Sequence, residues 1–359
     1  MTYILLFLAI LLLSFPTAKG RSKVVRIFFL SLSILLLSSF GGLRDPSIGT
    51  DVLGYTDRIW NYMHNLHITS DVIFNQLLTE PGFAVFSFLL HEISDNFQFY
   101  LFGISLLTTS LFFISGYLLR NKLNYVIYTL VYCLLFYNMS FNIMRQLCSL
   151  GFMALMIAMI AKKKYKAAII PLFLSCVFHN SGSFSIVVYL IFYFYDRRKI
   201  NTKLTFLIIL LGFIGIFYYE NIVLWLVSNG FLNTGFLLYT SVGGVFESKL
   251  PITDFIIKLY LLFIAIKVFA NNSTLPLNKE CLLLTSLASI SSLTSLVVQY
   301  AGRITYPFFI ASIMVILIQL KGMKKVYTII FVMLCIFFWC YTIAYGNSND
   351  TFPYKFYFD

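Results

Sequence analysis

The sequence predicts an all-α polytopic integral membrane protein, with about twelve transmembrane helices and a long outer segment, 41–96, that holds an interfacial or re-entrant helix. Composition excludes a water-soluble fold: 60% of the 359 residues are apolar and only 11% are charged, where a soluble domain runs nearer half and a quarter. Mean hydropathy is +0.87. Aromatic content of 18%, with 39 Phe and 24 Tyr, suits lipid-facing surfaces and interfacial belts. The third observation is the sorting of basic residues between connectors, taken up after the helices.

Apolar stretches fall at 1–18, 24–40, 97–119, 125–139, 147–161, 167–180, 183–195, 204–227, 254–270, 281–299, 304–320 and 326–345. Several are shorter than the roughly 20 residues of a straight span. The sixth and seventh, split at His179-Asn180-Ser181-Gly182, read either as two spans or as one broken or re-entrant helix. The first run is not a signal peptide in form, because its basic residues follow the apolar stretch. All six cysteines lie inside apolar runs without a CxxC spacing, as small core hydrophobes do.

Placing the 19–26 turn inside and alternating from there puts nineteen of the 26 basic residues on the inner side. The inner turns collect Lys19 to Arg26, Arg120 and Lys122, Lys162 to Lys166, Arg197 to Lys203, Lys267 and Lys279, and Lys321 to Lys325. Positive-inside sorting holds at every inner turn, so both termini lie outside. A net charge of +12 therefore reports orientation, and no nucleic-acid partner is expected. Two outer segments, 41–96 and 228–253, are long for a compact membrane protein, and such loops are usually functional. With the outer tail 346–359 they belong to a single transmembrane domain, 1–359. Proline-started 81–93 is expected to lie in the interface or re-enter, since spanning there would reverse every later orientation.

The candidate chemistry is on the outer side. Gly41-Gly42-Leu43-Arg44-Asp45 starts where the second helix ends; glycines allow close backbone approach and Arg44 can fork onto a phosphate. An ordinary helix exit with a snorkelling arginine accounts for the same residues. Glu80 precedes Pro81-Gly82, which reads either as a helix start or as a carboxylate placed for general-base work. Arg145, followed by Gln146, begins the fifth helix; it reads either as a snorkelling interface arginine or as a functional one, since a charge near membrane depth is a functional hypothesis by default. Arg303 is its counterpart between the tenth and eleventh helices. Isolated outer arginines suit an anionic lipid head group. His179 is either a hydrogen-bonded structural residue, a base, or a phosphate contact. His64 and His67 share no convincing zinc set. There is no GxxxxGK[ST] loop and no Asp-x-Asp pair to hold a metal, so neither metal nor cofactor is expected.

Gly42-Leu43-Arg44 with Gly49-Thr50-Asp51 and Tyr55, then Glu80-Pro81-Gly82, Arg145-Gln146, His179, Arg303 with Tyr306, and Pro353-Tyr354-Lys355-Phe356 together resemble the EpsG family of bacterial polysaccharide polymerases, related in role to Wzy-type O-antigen polymerases. The resemblance covers nearly the whole chain. It implies a glycosyltransferase-type polymerase in the bacterial plasma membrane. Such an enzyme joins oligosaccharide repeat units carried on undecaprenyl pyrophosphate at the outer face, for O-antigen, capsule or exopolysaccharide. A chain-length regulator and a flippase are the implied protein partners, beside the bilayer. Arg44, Arg145 and Arg303 are then expected to hold the pyrophosphate. Glu80, Asp51 and His179 are the base candidates in that order, and Tyr55, Gln146 and Tyr306 are expected to bind substrate. Two other classes stay open: a flippase or transporter of lipid-linked oligosaccharide, which would show two matching halves, and a membrane acyltransferase with His179 as base.

Overall fold

The structure is a computed structural model that describes residues 1–64, 80–197, 200–230, 237, 240, 252–270, 277–293, 306–347 and 350–358. Among them the regular structure is helical, with one isolated antiparallel bridge between Arg44 and Phe356. The helices are α1 Thr2–Lys19, α2 Lys23–Gly42, α3 Asp57–His64, α4 Pro81–Ile93, α5 Phe97–Leu119, α6 Tyr125–Val131, α7 Met144–Ala161 and α8 Tyr165–Phe178. They continue as α9 Phe184–Asp196, α10 Thr202–Phe217, α11 Tyr219–Ser228, α12 Ile252–Ala270, α13 Asn278–Ser291, α14 Tyr306–Leu320 and α15 Lys325–Phe338. A π turn, Val52–Thr56, leads into α3; α6 and α15 run on as π-helix over Tyr132–Tyr137 and Trp339–Tyr345.

The chain is an all-α membrane protein, and its spans differ in length from the sequence reading. Five described helices are long and apolar enough to cross a bilayer: Thr2–Lys19, Lys23–Gly42, Phe97–Leu119, Met144–Ala161 and Lys325–Tyr345. The stretch 204–227, expected as one helix, is α10 and α11, bent by 80° between Thr202–Gly215 and Glu220–Ser228; counted as one span it makes six. The bend moves Glu220 from the middle of an apolar run to the first turn of α11, where the helix dipole favours an acid. Pro81–Ile93, Tyr125–Tyr137, Tyr165–Phe178 and Tyr306–Leu320 are apolar but short. A 14-residue helix rises only about 21 Å against a hydrocarbon core of about 30 Å. The expected stretch 281–299 is helical as Asn278–Ser291, and 294–305 lies outside the described residues. So do 65–79 and most of the 228–253 segment.

Side-chain caps mark where three of the helices, α2, α5 and α6, begin. The Ser22 hydroxyl accepts from the Val25 N–H, Asn96 accepts from Gln98 and Phe99, and Asn124 from Val126 and Ile127, each satisfying donors the helix leaves open.

Two compact units divide the chain: Met1–Ile186 with Val332–Asp359, and Val187–Phe331. In the first, small residues let helices close on one another. A Cβ on Gly42 would stand 2.6 Å from the Phe102 Cβ, and one on Gly41 would collide with Ser105, so α2 and α5 meet almost backbone to side-chain root. Gly42→Ala should force them apart and lower the thermal-unfolding midpoint in detergent, by about 1–3 kcal/mol in stability.

The carboxyl-terminal tail closes this unit. Tyr3 donates to the Thr351 carbonyl at 2.7 Å, Asn138 donates to the Thr351 hydroxyl at 3.1 Å, and Trp339 Nε1 donates to Asn138 at 3.0 Å. Tail backbone pairs with the exit of α2: the Tyr357 N–H donates to Leu43 and the Asp45 N–H to Lys355, both at 3.0 Å. The Gly42-Leu43-Arg44 and Pro353–Phe356 motifs, more than 300 positions apart in the chain, are thus neighbours.

In the second unit, α12 carries a buried ion pair: Lys258 Nζ is 2.6 Å from Asp254 Oδ2, one turn earlier, and 5.0 Å from the centre of the Phe309 ring. Lys258 is 1% exposed. Pairing at i,i+4 neutralises a charge that would otherwise be costly among apolar helices.

Candidate functional site

Three helix ends in the first unit meet at one polar cluster. Pro81 occupies the first turn of α4 with Glu80 as its cap, the position where a missing N–H costs nothing. Gly82 brings this end onto the last turn of α8, since a Cβ there would lie 2.8 Å from both the Phe178 ring and the Val177 carbonyl. Glu80 therefore sits beside His179, the residue that breaks α8 with extended backbone, φ −162° and ψ 142°. The third end is the start of α7, where Arg145 is in the first turn.

Glu80 is 10% exposed at its side chain and receives donors on both oxygens. The Arg145 guanidinium pairs with Oε2. The Asn180 backbone N–H reaches Oε1 at 3.4 Å, and His179 Nε2 stands 3.8 Å from the same oxygen. On the other side of the ring, His179 Nδ1 accepts the Ser181 N–H at 3.1 Å and lies 2.8 Å from the Ser181 hydroxyl. Because a backbone N–H claims the Nδ1 lone pair, the neutral ring carries its proton on Nε2, toward Glu80. Gln146, 3% exposed, donates to the Ser181 hydroxyl at 3.0 Å. Arg145 keeps a quarter of its side-chain surface open.

Burial would raise the Glu80 carboxyl, but the Arg145 guanidinium, His179 and the backbone N–H groups of Glu80 and Asn180 outweigh it and hold it below its ordinary 4.5. The pairing therefore stabilises the fold above the unfolded-state value and is lost as pH falls through the lowered native one. An acid titration of unfolding should show wild type losing stability below about pH 4.5, more steeply than Glu80→Gln.

The other sequence-expected residues are taken one by one. Arg44 is 1% exposed, with its guanidinium 4.4 Å over the Phe141 ring, donating to the Gly41 carbonyl and, at 3.5 Å, to the Met144 sulfur. It backs onto the start of α7, one residue from Arg145, and among the described residues does not join the Glu80 cluster. Asp51 heads the π turn Val52–Thr56. Tyr55 lies within that turn, Tyr306 opens α14 in the second unit, and Arg303 lies outside the described residues. The expected base and pyrophosphate residues Glu80, Arg145 and His179, with Gln146, are thus brought together. Ser181 and the Asn180 N–H were missed as partners, although the polar run Asn180–Ser183 between apolar stretches signals a break that must bond to something. No three His, Cys, Asp or Glu side chains among the described residues are placed to hold a metal ion.

Residues 27–356 match the family model described as the EpsG family. No curated protein and no solved structure matches the chain.

Proposed function

The chain belongs to the EpsG family, and from that premise we propose that it is a polysaccharide polymerase of the bacterial plasma membrane. Its substrates are oligosaccharide repeat units on undecaprenyl pyrophosphate, joined at the outer face. The topology that goes with this reading has twelve spans and both termini outside, with α4 in the interface or re-entrant. Family membership supports the polymerase role. The observation that carries the site is the meeting of Glu80, Arg145 and His179, residues from three separate helix ends, around one carboxylate.

The chemistry follows from those groups. A hydroxyl of the acceptor unit attacks the reducing-end carbon of the growing chain. The new C–O bond forms as the bond to pyrophosphate breaks, and the electron pair leaves with the phosphate. Arg145 neutralises that developing charge through a planar, forked donor. His179, with its lone pair tied to Ser181, offers an Nε2–H to the same charge. Glu80 accepts the proton of the attacking hydroxyl. Pyrophosphate is already a good leaving group, so a base with a low proton affinity suffices. Arg303 is a further candidate for neutralising pyrophosphate charge, whereas Arg44 is buried against Phe141 and Met144; with no Asp-x-Asp pair in the sequence the charge is assigned to arginine.

Purified protein in proteoliposomes, supplied with lipid-pyrophosphate-linked repeat units, should convert them to a ladder of lengthened products. Movement of labelled single units across the bilayer without lengthening would instead place the chain among transporters.

A further inference from the structure

The Glu80 carboxylate is held as a phosphate would be. A guanidinium, an imidazole Nε2 and a backbone N–H, from Arg145, His179 and Asn180, all face its two oxygens. These are donors that recur in anion sites, and a charged fork with N–H groups suits tetrahedral phosphate as well as planar carboxylate. We propose that Glu80 is a substrate-displaced base: its carboxylate fills the phosphate cradle of the resting enzyme, and the donor's pyrophosphate takes over Arg145, His179 and the Asn180 N–H and so releases it. This rests on the polymerase reading and deepens it.

Three features support the exchange. Glu80 precedes α4, whose backbone is fixed against α8 by the close approach at Gly82, so the carboxylate can turn away about its side-chain bonds while the helix stays. Arg145 is a quarter exposed, against a tenth for Glu80, so the guanidinium is the group an arriving anion meets first. The electrostatics then couple binding to chemistry. Losing Arg145 and gaining a phosphate neighbour removes what holds the Glu80 proton affinity down, while burial continues to raise it. The carboxylate becomes a better base only when the donor is seated. It then takes the proton of the acceptor hydroxyl as that oxygen bonds to the sugar carbon and pyrophosphate leaves with the electron pair of the broken bond. An empty site keeps the base neutralised.

The test is binding of inorganic pyrophosphate to the full-length protein in nanodiscs. If the cradle is open a tenth of the time or less, removing the internal competitor tightens the apparent Kd at least about tenfold, so Glu80→Gln should bind that much better than wild type. Unchanged or weaker binding overturns the proposal. A second measurement on wild type does not depend on the variant folding: dicyclohexylcarbodiimide labelling of Glu80, read by peptide mass spectrometry. Pyrophosphate should increase the labelling, whereas protection or no change contradicts release. Both read anion exchange without polymer formation. Exchange without polymer in proteoliposomes sinks the polymerase reading and with it the base role, leaving the anion exchange standing; polymer without exchange spares the polymerase reading and overturns the exchange.

Discussion

Arg145→Ala is expected to lower the rate of polymer formation by at least about 100-fold, the scale of losing one preorganised donor to a developing anion, and to lower stability as well. Two causes are superposed, and further variants separate them. Truncation leaves the Glu80 carboxylate with a tenth of its surface exposed and without its principal counter-charge. Breaking a buried pair costs about 3–5 kcal/mol, and the partial exposure of Arg145 puts this case toward the lower end. Arg145→Ala with Glu80→Gln should recover most of the thermal midpoint and none of the rate. Arg145→Lys should keep the midpoint, because an ammonium still pairs with Glu80, and yet lose rate, because a point charge does not reproduce the planar fork. Initial rates in proteoliposomes with thermal unfolding of the same samples check all three. Full activity in Arg145→Ala would remove this residue from the site.

Gly182→Ala is the second large effect, and it acts through backbone. A Cβ at Gly182 would land on the Ser175 carbonyl oxygen and 2.6 Å from the Ser149 hydroxyl. The colliding group is helix backbone in α8, which cannot swing aside as a side chain can. The cost should reach or exceed the about 1–3 kcal/mol of ordinary overpacking. The shift would also pull Ser181 from His179 and Gln146, so activity should fall with stability. Gly215→Ala is the internal control: nothing lies within 4 Å of its Cβ position, and alanine in a helix is favoured over glycine by about 0.5–1 kcal/mol. Equal midpoints for the two variants would contradict the packing argument.

The sequence made the long helices legible because each is a sustained apolar run of about the length a span needs. The expected 1–18, 24–40 and 97–119 are Thr2–Lys19, Lys23–Gly42 and Phe97–Leu119, bounded by Ser22 and Asn96. Composition said less where tertiary packing decides geometry. The run 125–139 looks like one helix, yet it changes from α to π at Tyr132, and 204–227 bends at a place no proline marks. Glu80, Arg145 and His179 were each legible as an oddity: an acid before a proline, a charge in an apolar run, a histidine at a break. Their meeting was not. The contacts join positions 65 and 100 apart and depend on Gly82 and Gly182, whose role is what they leave out. Arg44 shows the converse limit. At a helix exit it reads as an arginine reaching for a head group, while its burial depends on Phe141 and Met144, about a hundred residues later.

Gel profiling of surface polysaccharide tests the central claim most directly, using a deletion strain complemented with wild type or with Arg145→Ala. The account predicts a ladder of chain lengths with wild type and collapse to a single repeat unit with the variant. A full ladder from Arg145→Ala, or from the uncomplemented deletion strain, would contradict it.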